Sequence, residues 1–97
     1  NFDKAWFVKT DLTGATLKKA ILTNANFKEA NLSAADLTGA IFNKKNAESF
    51  FKGTIFEDTI LKGAKFSKNQ KSGITNEKLI KRGAIIIGEE KEEEKVD

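Results

Sequence analysis

Large apolar residues recur at every fifth position of this chain. They are Phe2, Phe7, Leu12, Leu17, Leu22, Phe27, Leu32, Leu37 and Phe42, then Phe51, Phe56, Leu61 and Phe66. Two residues before each of these centres from Phe7 on stands a small one: Ala5, Thr10, Ala15, Ala20, Ala25, Ala30, Ala35 and Ala40, then Ser49, Thr54, Thr59 and Ala64. Gly14, Gly39, Gly53 and Gly63 fall two residues after a centre. No straight element buries such a set. A helix turns about 100° per residue, so steps of five rotate by about 140° and the centres walk around the axis. A strand alternates sides at every residue, so an odd period sends successive centres to opposite faces. A chain that runs extended for about three residues and then turns does bury them, because the small residue and the centre two places on point the same way. The turn carries the polar residues, and glycine suits a turn position that needs positive φ. The period therefore predicts a coil with every centre inside.

The run ATLKK-AILTN-ANFKE-ANLSA-ADLTG-AIF, residues 15–42, resembles the repeats of the pentapeptide-repeat family, whose form is A-(D/N)-L-X-X. The resemblance extends over residues 1–68. It implies an all-β solenoid: a right-handed quadrilateral parallel β-helix with four repeats per coil, about three and a half coils here, and strand spacing of roughly 4.8 Å between coils. The absence of Pro fits, since Pro would remove a donor between coils.

Four repeats per coil stack residues twenty positions apart. Residues 45–48 read as a repeat shortened by one, with Ala47 as a weak centre, so the offset across them becomes nineteen. The expected interior columns are Phe2–Leu22–Phe42–Leu61, Phe7–Phe27–Ala47–Phe66, Leu12–Leu32–Phe51 and Leu17–Leu37–Phe56. The position before each centre, Asp or Asn in the family, is often apolar here. With this offset Ile21, Ile41 and Ile60 form a ladder on one face, with Phe50 and Ile55 in the matching position on the next two faces. Trp6 and Val8 make a further patch near the start. Ile21, Ile41, Ile60, Trp6 and Val8 are the candidate interaction surface, a place that a partner or a second copy would bury.

Both ends carry expectations. The chain starts inside a repeat and not at a Met, which predicts a processed or excised chain whose first coil presents an open edge, one that invites pairing. Beyond Phe66, residues 69–88 read as a linker, a short helix and an extended run that together cap the last coil. Thr75 is the expected N-cap of a helix at 76–82, with Glu77 in its first turn and Gly83 as its C′ residue. Residues 84–87 follow as the extended run. The family resemblance implies a similar closing helix and an RGAI-like run, Arg82–Ile85 here. Such a helix is too short to bind a membrane well. Residues 89–97 hold six acids and two lysines and read as a solvated, disordered tail, the alternative being a tail that folds back onto the basic body or docks on a basic partner.

Composition removes whole classes of chemistry. With 97 residues the chain is one domain. It has no Cys, so no disulfide framework or thiolate chemistry, and no His, the commonest general base and metal ligand. No metal-ligand spacing or phosphate-binding glycine loop occurs. Glu57 and Asp58 read as a solvated corner. No catalytic residue, cofactor or metal is expected, and the chain reads as no enzyme. There is no apolar run of membrane-spanning length. The formal net charge of +3 combines −4 in the tail with +7 in residues 1–88. The basic residues are spread one or two at a time, so no nucleic-acid partner is expected.

The first functional reading is a rigid repeat scaffold that binds another protein, or itself, through the isoleucine face or the N-terminal edge. The alternative comes from the resemblance, since some pentapeptide-repeat proteins mimic DNA and bind DNA gyrase. Mimicry needs an acidic rod of DNA-like length. Residues 1–68 instead hold eleven lysines against seven acids and form a short stack. The compartment is open; the resemblance implies only cyanobacterial or thylakoid-lumen settings.

Overall fold

The structure, a computed structural model, describes residues 1–42 and 56–88. From Asn1 to Phe42 the chain winds as a β-solenoid. Each flat stretch pairs in parallel with the stretch twenty residues on: Trp6 with Asn26, Asp11 with Asn31, Thr16 with Asp36, and Ile21 with Ile41. Between flat stretches the chain turns. The N–H of each small residue donates to the carbonyl of the preceding centre, as from Ala30 to Phe27 at 2.9 Å and from Ala35 to Leu32 at 3.0 Å. The second residue after each centre, third in its four-residue turn, has positive φ: Lys4, Lys9, Gly14, Lys19, Asn24, Glu29, Ala34 and Gly39 all lie between 59° and 74°. That is the geometry of a type II turn, which needs left-handed backbone at its third position. Turns consume so much of each repeat that a flat stretch is often one paired residue long.

Coils are held together by one repeated bond pattern. The N–H of each centre donates to the residue nineteen on, as from Phe7 to Asn26 at 2.7 Å, and the residue before the next centre donates back, as from Asn26 to Ala5 at 2.9 Å. The centres fill the interior. Leu22, Phe27, Leu32 and Phe66 are fully buried, and Leu37, Leu61 and Phe42 nearly so. Ala25, Ala30, Ala35 and Ala64 are also fully buried, which explains the small residue: it points inward at a corner with another coil on each side. Each buried Leu or Phe contributes about 2 kcal/mol. The first coil is covered on one side only, so Phe2 stays 41% exposed and Phe7 and Leu12 half-buried.

The offset across residues 43–55 differs from the expected nineteen. Asn31 pairs with Ile60 and Asp36 with Lys65, 29 positions apart. The segment therefore holds nine residues more than a regular coil requires, rather than one fewer. The expected neighbours Phe42–Leu61 and Leu37–Phe56 are replaced: the ladder sets Leu61 on Leu32 and Phe66 on Leu37. Ala47 and Phe51, expected as centres, lie outside the described residues, as do Phe50, Ile55 and the whole irregular repeat at 45–48. Packing gives the reason. The offset of 29 lays the Phe56 ring on Phe27, centroids 5.5 Å apart and planes 4° from parallel, while Phe7 stacks on the other side at 5.0 Å and 11°. Alanine in that column would leave a ring-sized gap. Thr59 also suits the site, since its buried hydroxyl donates to the Phe27 carbonyl at 2.6 Å. Turn positions match too, with Asp58 at φ 56° over Glu29 and Gly63 at φ 73° over Ala34.

Among the described residues, regular elements appear only from Lys65 on. Strand β1 is Lys65–Ser67, helix α1 is Asn76–Lys81 and strand β2 is Ile85–Ile87. Thr75 caps α1, its Oγ1 accepting from the Lys78 N–H at 3.2 Å. At the other end the Gly83 N–H donates to Ile80 and the Ala84 N–H to Leu79, the paired bonds of a Schellman motif. Gly83 is required twice over. Its φ is 91°, and a Cβ there would stand 3.2 Å from Lys62 Cα. Leu79 is fully buried against the solenoid core. Strand β2 then pairs in parallel with β1, Lys65 to Ile85, so the twenty-residue register returns although a helix lies between.

Candidate interaction surface

The position before each centre decides what the faces present. Where it is Asp or Asn, the side chain braces its own turn. Asp11 Oδ1 accepts from the Thr13 N–H at 3.0 Å and its hydroxyl at 2.7 Å. Asp36 does the same for Thr38, and Asn31 for Ser33. These hydroxyl and amide donors favour the ionised carboxyl and lower the pKa of Asp11 and of Asp36 below the ordinary value. An isoleucine at that position gives up the brace and turns an apolar side chain outward.

The candidate residues do not all come together. Ile21 and Ile41 pair directly on one face and are 37% and 47% exposed. Ile60 is exposed too, but the offset of 29 seats it on Asn31, two faces away from Ile21 and Ile41. The three-residue ladder is therefore a pair plus an isolated residue. Trp6 is 74% exposed on the face next to Ile21, paired with Asn26. Val8 lies one corner beyond and is half-buried. Ile85 on β2 is exposed, and so is Ile80 on α1, although the sequence places Ile80 with Ile74 and Leu79 on the helix's apolar face; only Leu79 of the three is fully buried. Finding Ile85 needed only the twenty-residue register carried past Lys65.

Charge is sorted by corner. Lys9 reaches Glu29 at 3.8 Å and Lys28 reaches Glu57 at 4.0 Å, both across stacked turns and both exposed. Pairs like these contribute little. Arg82, just past α1, donates to the carbonyls of Phe56 at 3.1 Å and Thr59 at 2.6 Å, tying the end of the helix to the solenoid. On another corner Lys18, Lys19 and Lys65 line an open cleft of about 490 Å³ that also contains Asp36, Ser67 and Gly88. Among the described residues no group of three or more acidic, His or Cys side chains could hold a metal, and no helix is long and apolar enough to cross a membrane.

Comparison with known proteins places the coil in its family. Residues 5–43 match the family model for pentapeptide repeats, in eight copies. Residues 5–43 are pentapeptide repeats. No curated protein matches it. Among solved structures it is similar to a pentapeptide repeat protein from Nostoc Pcc 7120, with 20% identity over 89% of this chain and 84% of that one. The TM-score of 0.31 is too low for that likeness to carry any argument. The pentapeptide match ends at residue 43, where the regular winding also gives way to the longer connection.

Proposed function

We propose that this protein is a non-enzymatic scaffold that binds a protein partner through the Ile21–Ile41 face. In this reading residues 1–68 form the rod, a right-handed four-sided β-helix. Residues 69–88 close one end, with α1 as its lid, and residues 89–97 form an acidic extension. The observation that carries the reading is Ile21 stacked on Ile41. Both occupy the position where Asp11, Asn31 and Asp36 brace their turns. On a rod surrounded by water, replacing that brace with an exposed aliphatic gains nothing for stability. A surface that becomes buried on association accounts for it. Trp6, exposed on the adjoining face, extends the apolar area in the direction of the open first coil.

The test is the double variant Ile21→Asp with Ile41→Asp. Restoring the Asp of the repeat form leaves the coil folded, which circular dichroism checks. Sedimentation velocity and affinity capture then compare it with the parent chain. Loss of an association that the parent shows supports the reading. Unchanged association in a folded double variant refutes this face as the site.

A further inference from the structure

A second surface is independent of that reading. The cleft on the corner of Lys18 and Lys19 combines residues from successive coils: Lys18 and Lys19, then Asp36 and Gly39, then Lys65 and Ser67. Three lysines and one aspartate line it. Asp36 is held by the Thr38 hydroxyl and amide, so the cleft carries a net positive charge. Three cations elsewhere have nearby partners: Lys9 has Glu29, Lys28 has Glu57, and the Arg82 guanidinium binds two carbonyls. The far wall of the cleft includes Ile87 and Gly88. The nine residues that follow Gly88 contain six carboxylates: Glu89, Glu90, Glu92, Glu93 and Glu94, all within six residues of Gly88, and Asp97.

We propose that this cleft is a docking surface for acidic polypeptide and that its resident occupant is residues 89–97 of the same chain. Charge complementarity and the point of attachment carry the assignment. The segment departs from the cleft wall itself. Nine residues reach at most about 30 Å when extended, so the carboxylates span the lysines without a long crossing. Tethering gives an effective concentration in the millimolar range, so an intrinsic affinity of about 1 mM fills roughly half of the molecules. An acidic segment of another protein must displace the resident one, which makes residues 89–97 a built-in competitor for this cleft.

The absence of cysteine allows a clean test in the full chain. A nitroxide is attached to Val96→Cys, which keeps every acid, and amide signals are followed by NMR. At about 20 mM salt the signals of Lys19, Gly39 and Ser67 broaden; at about 0.5 M salt, where screening is within a few ångströms, they recover. Lys18→Glu with Lys19→Glu restores them at low salt, and so does Glu92→Gln with Glu93→Gln and Glu94→Gln, a variant that leaves the solenoid untouched. Broadening that ignores salt and both variants overturns the proposal. So does broadening that appears when a nitroxide-bearing chain is mixed with a separate isotope-labelled one, since the segment then docks on a second copy.

Discussion

The column Phe7–Phe27–Phe56 offers the sharpest energetic consequence of the 29-residue offset. Phe27 is fully buried and stacks on two rings, while Phe56 touches Phe27, Phe42 and Phe66 at centroid distances of 5.5, 5.6 and 6.0 Å. Leucine at either site keeps most of the apolar volume and removes the ring geometry. An aromatic pair contributes about 0.5–1.5 kcal/mol beyond its area. Phe27→Leu loses two pairs and should cost about 1–3 kcal/mol, and Phe56→Leu somewhat more. The two share one pair, so the double variant should be less destabilised than the sum by about 0.5–1.5 kcal/mol. Urea unfolding followed by circular dichroism measures all four proteins. Additivity within about 0.3 kcal/mol would mean that the rings do not touch, and the offset would be wrong.

Other predictions test the turns and the end of the solenoid. Gly83→Ala should lower stability by more than about 1 kcal/mol, read as a fall in thermal midpoint, because it adds both αL strain and a contact with Lys62. Thr75→Ala should cost about 0.5–2 kcal/mol by removing the N-cap of α1, measured in the same way. Ala34→Gly should raise the midpoint, since Ala34 has φ 61° and the αL cost of about 1–2 kcal/mol exceeds the entropy that glycine adds. The Asp36 carboxyl has a lowered pKa in the folded chain, so its contribution is present above the unfolded value of about 3.9 and is lost as pH falls through the folded one. Asp36→Asn should therefore show a shallower loss of stability below about pH 4 in acid titrations.

Much of the fold was legible because it is local. The five-residue period states which side chains go inside, and the small residue two places earlier states where the chain bends. Glycine at four turn positions pointed to positive φ, and the structure puts Lys, Asn, Glu and Ala there as well. Thr75 and Gly83 marked the ends of α1 from chemistry confined to a single turn. The offset across 43–55 was not legible. A repeat one residue short and a connection nine residues longer leave the same beat on either side. What separates them is a ring column spanning three coils, a non-local contact. The candidate surface inherited that error. Ile21 and Ile41 stay together because they lie within the regular winding, whereas Ile60 moves to another face. The basic cleft was hidden for a related reason. Lys18, Lys19 and Lys65 are scattered in sequence and meet only when three coils are stacked in the right register.

Disulfide trapping tests that register most directly, because the chain has no cysteine of its own. Neighbouring parallel strands lie about 4.8 Å apart, within the 4.4–6.8 Å that a disulfide accepts between Cα atoms. The paired residues Asn31 and Ile60, both changed to Cys, should oxidise to an intramolecular bond with the β-rich spectrum intact. Ile41 and Ile60 changed together should stay reduced, since two faces separate them. Ready bonding of the Ile41–Ile60 pair, with the Asn31–Ile60 pair left reduced, would contradict the structure's stacking and restore the continuous isoleucine ladder.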